Sequence, residues 1–452
     1  MSRFFHLVIV TLAAFSMCIP AAWAVEAPLA AEKSSEEVLT LDSAMEIALE
    51  NNAAVKEAQQ HYLAALESEK SARADFLPKL SASYIYTNLK DQPYMIFNGM
   101  QIPANSEEIY QWNITAVQPL FTGFALFSKY EMARYGVDLQ ETTRFLAELD
   151  VAQRVREAYC HVLLARKALD VSDEAVGNLE SHVRDAQRFY REGMIPYNDL
   201  LKSKVALAGA VQNRTRARAN ADLALSTLNA VLRFDINRST QVQDISDITE
   251  VLHDPDKLTE EALSRRPELS VLRIALENAD AMIRLARSGY YPVVSLVGRY
   301  ERAGDNPQAD NNDYTNDHNA MVALQAQWQF FEWGKTRAEE NRYAHERDAL
   351  MERLSEAEDR VRIDVKNSLL DMDVSRKNIT TAREALDQAR ENYRLVDLQY
   401  RQQMTTSTEV LDARVYLSQA QMNYYGALYG YMISQARLDR AVGNIPGRTS
   451  SR

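Results

Sequence analysis

The sequence predicts an α+β membrane protein, a duplicated unit that gives each chain four transmembrane β-strands and very long coiled-coil helices. Three observations carry this. The chain matches itself at an offset of about 210 residues, segments of about ten residues alternate apolar and polar, and two proline-free stretches of about 70 residues keep a regular apolar seam.

The first element is a leader. Arg3 and the amino terminus are followed by a short apolar run, Leu7 to Met17, and then by Ala22-Trp23-Ala24, the small-x-small pattern of a cleaved export signal spanning 1–24. The apolar run is too short to cross a bilayer as a helix. Cys18 follows Phe15-Ser16-Met17, which lack the small residues of a lipidation site. Cleavage removes one Arg and no acid, taking the formal charge from −12 to −13 and arguing against a nucleic-acid partner. Only Cys160 then remains, so no internal disulfide can form. No stretch after the leader reaches the ~18 consecutive apolar residues of a membrane helix. Any crossing must therefore use strands closed into a barrel, which points to a bacterial outer membrane.

A linker over 25–39 leads into the duplication, whose halves are 40–235 and 256–443, joined by a connecting segment over 236–255 and followed by a tail over 444–452. At an offset of 214, Asp42 meets Asp256, Ala48-Leu49 meet Ala262-Leu263, Pro78 meets Pro292 and Tyr86 meets Tyr300. At an offset of 210, Phe121 meets Phe331, Tyr190-Arg191 meet Tyr400-Arg401, and Leu201 meets Leu411. The offset changes inside one loop, where insertions are tolerated.

Each half reads helix, strand, loop, strand, very long helix, turn, helix. The first helix is expected near Asp42, with Ser43 and Glu46 as a capping box, and to end before Phe76-Leu77-Pro78. The strands are expected at 78–88, 109–119, 292–301 and 319–329. Leu80, Ala82, Tyr84 and Tyr86 share one face, and Ser81, Ser83 and Thr87 the other. Ala320, Val322, Leu324, Ala326 and Trp328 likewise stand opposite Gln325 and Gln327. Such alternation also suits a half-buried strand of a soluble sheet. The polar connection over 302–317 and the long irregular loop over 88–107 favour a barrel with external loops.

The long helices are expected at 122–191 and 334–402, with return helices at 197–233 and 407–442. At 1.5 Å per residue, ~70 residues span roughly 100 Å. Val151, Val155, Ala158, Val162, Ala165 and Leu169 recur at steps of four and three, as in a coiled coil. The second half keeps that register with more polar residues: Val361, Val365, Ser368, Met372, Ser375 and Ile379.

Four strands cannot close a barrel, and eight leave an interior filled by side chains. Three chains give a 12-stranded β-barrel with an aqueous lumen, continuous with an α-helical barrel. Twelve helices ~10 Å apart make a ring of ~38 Å diameter, leaving a lumen near ~28 Å. This geometry favours a homotrimer closed by a heterologous interface.

Over residues 40–443 the chain resembles the TolC family of outer-membrane efflux and secretion proteins. The marks are the duplication, the phrases Gln118-Pro119-Leu120-Phe121-Thr122-Gly123 and Phe330-Phe331-Glu332-Trp333-Gly334-Lys335, and the hairpin phrases Tyr190 to Leu201 and Tyr400 to Leu411. The resemblance implies a trimer set in outer-membrane lipid, with the helical part in the periplasm. It also implies docking to a periplasmic membrane-fusion adaptor protein and an inner-membrane pump of the RND or ABC class. The adaptor-docking tip would comprise Gly193, Met194, Ile195 and Pro196 in the first turn, and Gln403, Met404 and Thr405 in the second. Gly193 suits a left-handed helix terminator and Pro196 a helix start. Gln403 stands where the family usually has glycine, which puts the geometry of the second turn in question. The residues matching the family's channel aperture are Asp199, Tyr400, Glu409 and Asp412. Glu409 also completes a capping box with Thr406, and Asp199 sits at the equivalent third position, so helix capping is the plainer role for both. Three copies of Asp412 around one axis would favour cations. Thr405 replaces a basic residue common near the family's gate, so a closing ion pair is either absent or made by Arg401.

No catalytic set is present. The six histidines after the leader (His61, His161, His182, His253, His318 and His345) show no metal-ligand spacing, and no nucleophile elbow, phosphate loop or cofactor motif occurs. Two rivals remain: a soluble periplasmic coiled-coil adaptor or structural protein, which leaves the four strands unexplained, and a barrel enzyme, which lacks its catalytic cluster.

Overall fold

The computed structural model describes residues 38–245 and 254–445. The leader, Cys18, nearly all of the 25–39 linker, residues 246–253 of the connecting segment and the tail beyond 445 lie outside the described residues.

A single first helix capped by Ser43 and Glu46 is expected from the sequence; the structure has two helices with other caps. Helix α1 (Leu41–Asn51) starts at Thr40, whose hydroxyl accepts the Ser43 N–H while the Ser43 hydroxyl accepts the Thr40 N–H. Helix α2 (Ala53–Ala74) follows directly. Asn52 makes the corner. Its side chain accepts the Ala54 N–H at 3.0 Å and donates to the Val231 carbonyl at 2.9 Å, so a tertiary contact holds the break. The second half breaks at the equivalent place, between α5 (Pro255–Arg265) and α6 (Pro267–Arg287). There Pro267 holds Arg266 in extended backbone. Different residues thus make the same corner, 214 positions apart.

Four strands form one antiparallel sheet in the order β1, β4, β5, β6: β1 (Lys79–Asn88), β4 (Glu108–Phe121), β5 (Val293–Gly304) and β6 (His318–Gln327). The register sorts the side chains. Leu80, Ala116, Gly298 and Val322 form one row across the sheet, and Ala82, Ile114, Tyr300 and Ala320 another. The alternating rows, Ser81, Thr115, Arg299, Met321 and Ser83, Asn113, Glu301, Asn319, point to the opposite face. One face is therefore apolar and one largely polar, and the outer edges of β1 and β6 have no partner strand among the described residues.

The loop over 88–107, expected to be irregular, contains a hairpin of β2 (Tyr94–Phe97) and β3 (Met100–Pro103). Its two-residue turn is Asn98-Gly99, both with positive φ, the pairing that matches hairpin twist. The hydroxyl of Tyr84 in β1 donates to the Pro307 carbonyl, and Gln92 of the loop donates to the Tyr314 hydroxyl, so both β1 and this loop are tied to the loop between β5 and β6.

The long helices are α3 (Ala125–Arg191) and α7 (Lys335–Arg401), each 67 residues. The return helices are α4 (Tyr197–Leu232) and α8 (Ser407–Val442), each 36 residues. The 210-residue offset holds at every one of these ends. Before α3, Gly123 lies at φ +60°, and a Cβ there would sit 2.6 Å from the Ser288 carbonyl oxygen, so only glycine lets the strand end approach the second half so closely. Helix α3 packs against α4 and α8, and α7 packs against α8, α6 and α5. Val151, Val155, Ala158 and Val162 are buried along α3; along α7 only Val361, Val365 and Met372 of the matching seam are.

The main core lies where α1 to α4 and α8 meet. Leu149, Val155, Tyr159, Leu228, Leu232 and Tyr429 are closed from solvent there. The Tyr159 hydroxyl lies 2.9 and 2.7 Å from the Leu39 and Gln243 carbonyl oxygens, and Arg166 donates to the Thr240 and Val242 carbonyls. These contacts pin the short bridge between Leu39 and Val242 onto α3. Beside them, burial pushes the Cys160 thiol up to about 12.

Candidate aperture and docking tip

Both hairpins end in the same turn. At the first, the Gly193 N–H donates to the Tyr190 carbonyl at 3.0 Å and the Met194 N–H to Phe189 at 2.8 Å. At the second, the Gln403 N–H donates to Tyr400 at 2.9 Å and the Met404 N–H to Gln399 at 2.8 Å. This is the double bond of a Schellman terminus, with Gly193 at φ +76° and Gln403 at φ +64° in the left-handed position. The departure from glycine at Gln403 therefore leaves the turn geometry intact, with a non-glycine residue held in a left-handed conformation.

Met194 and Met404 stand exposed at the two tips, and Gln403 Nε2 reaches to 2.7 Å from Met194 Sδ, joining them. Ile195 turns inward onto Phe189, Tyr400 and Val410. Pro196 is the N-cap of α4 in extended backbone. Thr405 is half-buried next to the α8 start.

The four aperture candidates divide. Glu409 and Asp412, one turn apart on α8, are exposed and carry no hydrogen bond from their carboxylates and no ion pair among the described residues. The Thr406 hydroxyl accepts the Glu409 N–H at 3.4 Å, but no bond returns from the Glu409 carboxylate, so only half of the expected capping box forms. Asp199 lies 3.7 Å from Lys202, whose ammonium also reaches the Thr408 hydroxyl at 3.4 Å, linking the first return helix to the start of the second. Tyr400 is set apart from these carboxylates: it is 2 % exposed, with its ring 5.6 Å from Phe189 and 4.6 Å from His182. Arg401 pairs with Asp397 on its own helix at 3.0 Å.

Two buried polar clusters behind the tip are absent from the residues singled out above. In the first, His182 of α3, Ser203 of α4, and Ser407 of α8 converge beside Tyr400 of α7. His182 Nε2 is 2.7 Å from Ser407 Oγ, which is 2.8 Å from Ser203 Oγ. The signal for it was available: Leu179, His182, Ala186 and Phe189 follow the three-and-four spacing of a buried seam, so the histidine occupies a core position. In the second, Arg414 of α8 is buried against α3. It donates to Glu174 at 2.9 Å, and Gln421 donates to the other Glu174 oxygen at 2.8 Å. Burial works to raise the Glu174 carboxyl, and the bonds from Gln421 and Arg414 outweigh it, leaving the group below its ordinary range. Among the described residues no group of acidic, histidine or cysteine side chains could hold a metal.

Residues 44–232 and 258–444 match the model of the family described as outer membrane efflux protein. The outer membrane protein TolC of Salmonella enteritidis is 21% identical over 391 residues, covering 84% of this chain and 77% of that protein. The pyoverdine export outer membrane protein OpmQ of Pseudomonas aeruginosa is 23% identical over 385 residues, covering 84% and 80%. The crystal structure of the CmeC outer membrane channel of Campylobacter jejuni superposes with a TM-score of 0.77 at 16% identity, covering 91% of this chain and 87% of that one.

Proposed function

Because the chain belongs to the outer membrane efflux protein family, we propose that three copies of it close around one axis into a passive duct that docks on a periplasmic adaptor. The protein is an outer-membrane exit duct of efflux and secretion systems, with its strands in the outer membrane and its helical part in the periplasm.

One observation carries the trimer. The sheet has an apolar and a polar face and two open edges, β1 and β6. An open edge is not tolerated in lipid, so β6 of one copy pairs with β1 of the next until the ring closes. Three copies bring twelve strands, with the polar rows of Arg299, Glu301 and the serines and asparagines facing a wet lumen. In the helical part α7 of one copy then meets α4 of the next, which continues the ring.

The tips at Gly193 to Pro196 and Gln403 to Thr405 take the adaptor, and through it an inner-membrane pump of the RND or ABC class supplies the energy. Glu409 and Asp412 of three copies surround the entrance. Asp199 and Lys202 brace the start of α8 beside it. The duct performs no chemistry of its own.

Native mass spectrometry of the detergent-extracted protein is expected to give the mass of three chains. A photocrosslinker at Met194 in living cells is expected to capture a periplasmic adaptor. A monomer in the soluble periplasm would overturn the reading.

A further inference from the structure

All four long helices contribute a side chain to one buried point behind the tip. His182 comes from α3, Ser203 from α4, Tyr400 from α7 and Ser407 from α8. His182 and Ser407 are 3 % and 1 % exposed. The first hairpin, α3 with α4, and the second hairpin, α7 with α8, are therefore pinned together here by polar groups closed off from solvent.

The hydroxyls have only one consistent order. The Ser203 hydroxyl donates to the Asp199 carbonyl at 2.9 Å, which uses its only hydrogen. The Ser407 hydroxyl must then donate to Ser203, which uses its own. Ser407 can therefore only accept from His182, so Nε2 carries the imidazole hydrogen. Nδ1 is left with a bare lone pair, buried and without a partner. The one remaining basic site of the ring is buried and has no hydrogen-bond partner among the described residues.

We propose that His182 is a pH-sensitive latch between the two hairpins: a proton added at Nδ1 places an unpartnered N–H and a positive charge inside the joint and loosens the tip.

The surrounding charges support this assignment. On α3, Asp185 favours the charged ring from a distance and lies 3.4 Å from Arg188. On α7, Asp397 does the same and is bound to Arg401 at 3.0 Å. On α4, Asp199 approaches Tyr400 and is taken by Lys202. On α8 the nearest carboxylate in sequence, Glu409, is exposed. Each carboxylate near the ring already has a cation, so none is free to receive the imidazolium. Burial holds His182 below its ordinary value, opposed by the more distant Asp397 and Asp185. With the ring exposed in a loosened tip, the imidazole returns toward ~6.5. The sign follows: the joint is fully stable above that value and weakens as pH falls toward the lower value of the closed form. Over that window the closed-to-open ratio drops by at most about tenfold per pH unit for each copy.

The inference rests on the duct reading, and the test separates the two. The full-length protein is placed in planar bilayers and its conductance followed from pH 7.5 to 5.5 on the side of the tips. In wild type, open-state occupancy is expected to rise roughly tenfold across this range. His182→Gln keeps a donor to Ser407 but cannot be protonated, and is expected to match wild type at pH 7.5 and lose the rise. A flat wild-type response or an equal rise in H182Q overturns the latch while leaving the duct standing. Failure to form any conducting channel at any pH would instead count against the duct.

Discussion

Gln403 and Gly193 occupy the same left-handed corner in the two hairpin turns, at φ +64° and +76°, and both turns close with the same pair of backbone hydrogen bonds. Glycine at 193 avoids a cost that Gln403 bears, since a side chain in this conformation is disfavoured by ~1 kcal/mol. Gln403→Gly is expected to remove that cost and the contact with Met194 Sδ together. The net expectation is stabilisation of up to about 1 kcal/mol, read as a higher midpoint of thermal unfolding.

Tyr400 carries a hydroxyl buried beside Ser407 with no hydrogen bond of good geometry. An unsatisfied buried hydroxyl costs roughly 1–3 kcal/mol. Tyr400→Phe keeps the ring against His182 and Phe189, and is expected to leave stability unchanged or raise it by about 1 kcal/mol. A Tyr400 hydroxyl that links to a neighbouring copy would give a loss of stability and a leakier channel.

At Gly123 the expectation is opposite. Its φ of +60° and the 2.6 Å approach of the Ser288 carbonyl to an added Cβ both oppose any side chain. Gly123→Ala is expected to cost about 2–4 kcal/mol and to lower the yield of folded protein in the outer membrane. Gly334 also has positive φ, but nothing lies within 4 Å of its Cβ position. Gly334→Ala is therefore expected to cost only the conformational part, ~1 kcal/mol.

Removing the exposed carboxylates tests the aperture. Glu409→Ala combined with Asp412→Ala takes six negative charges from a closed trimer. Bilayer conductance is expected to rise severalfold, and the preference for cations over anions to fall. Unchanged conductance and selectivity would place the constriction elsewhere.

Cys160 offers a check on the core. With its thiol pushed up to about 12, the thiolate fraction at pH 8 is on the order of one in ten thousand. A maleimide reagent at pH 8 is expected to leave the folded protein unlabelled and to label it fully in denaturant.

Much of the fold was legible because it is periodic. Pro78 and Pro292, the alternating serines and aromatics of β1, and the four-and-three steps from Val151 to Val162 each report a local geometry that repeats. The β2–β3 hairpin was missed in a stretch expected to be irregular, because the residues around its Asn98-Gly99 turn lack the alternation that usually frames such a turn. The corner at Asn52 was not legible, because its side chain is held by the Val231 carbonyl, 179 residues away. The tip divides in the same way. Glycine and proline at 193 and 196 announce a turn, but nothing local distinguishes the buried Tyr400 from the exposed Glu409 and Asp412.

The sequence by itself determined the duplication, the lengths of the helices and the two faces of the strands, since these depend on backbone period and on which side chains avoid water. The tertiary structure alone decided which groups meet. His182, Ser203 and Ser407 are up to 225 residues apart, and only the crossing of four helices gives them one hydrogen-bonded order and leaves Nδ1 bare. A hydrogen-bond partner is a matter of distance in space, which periodicity along the chain does not encode.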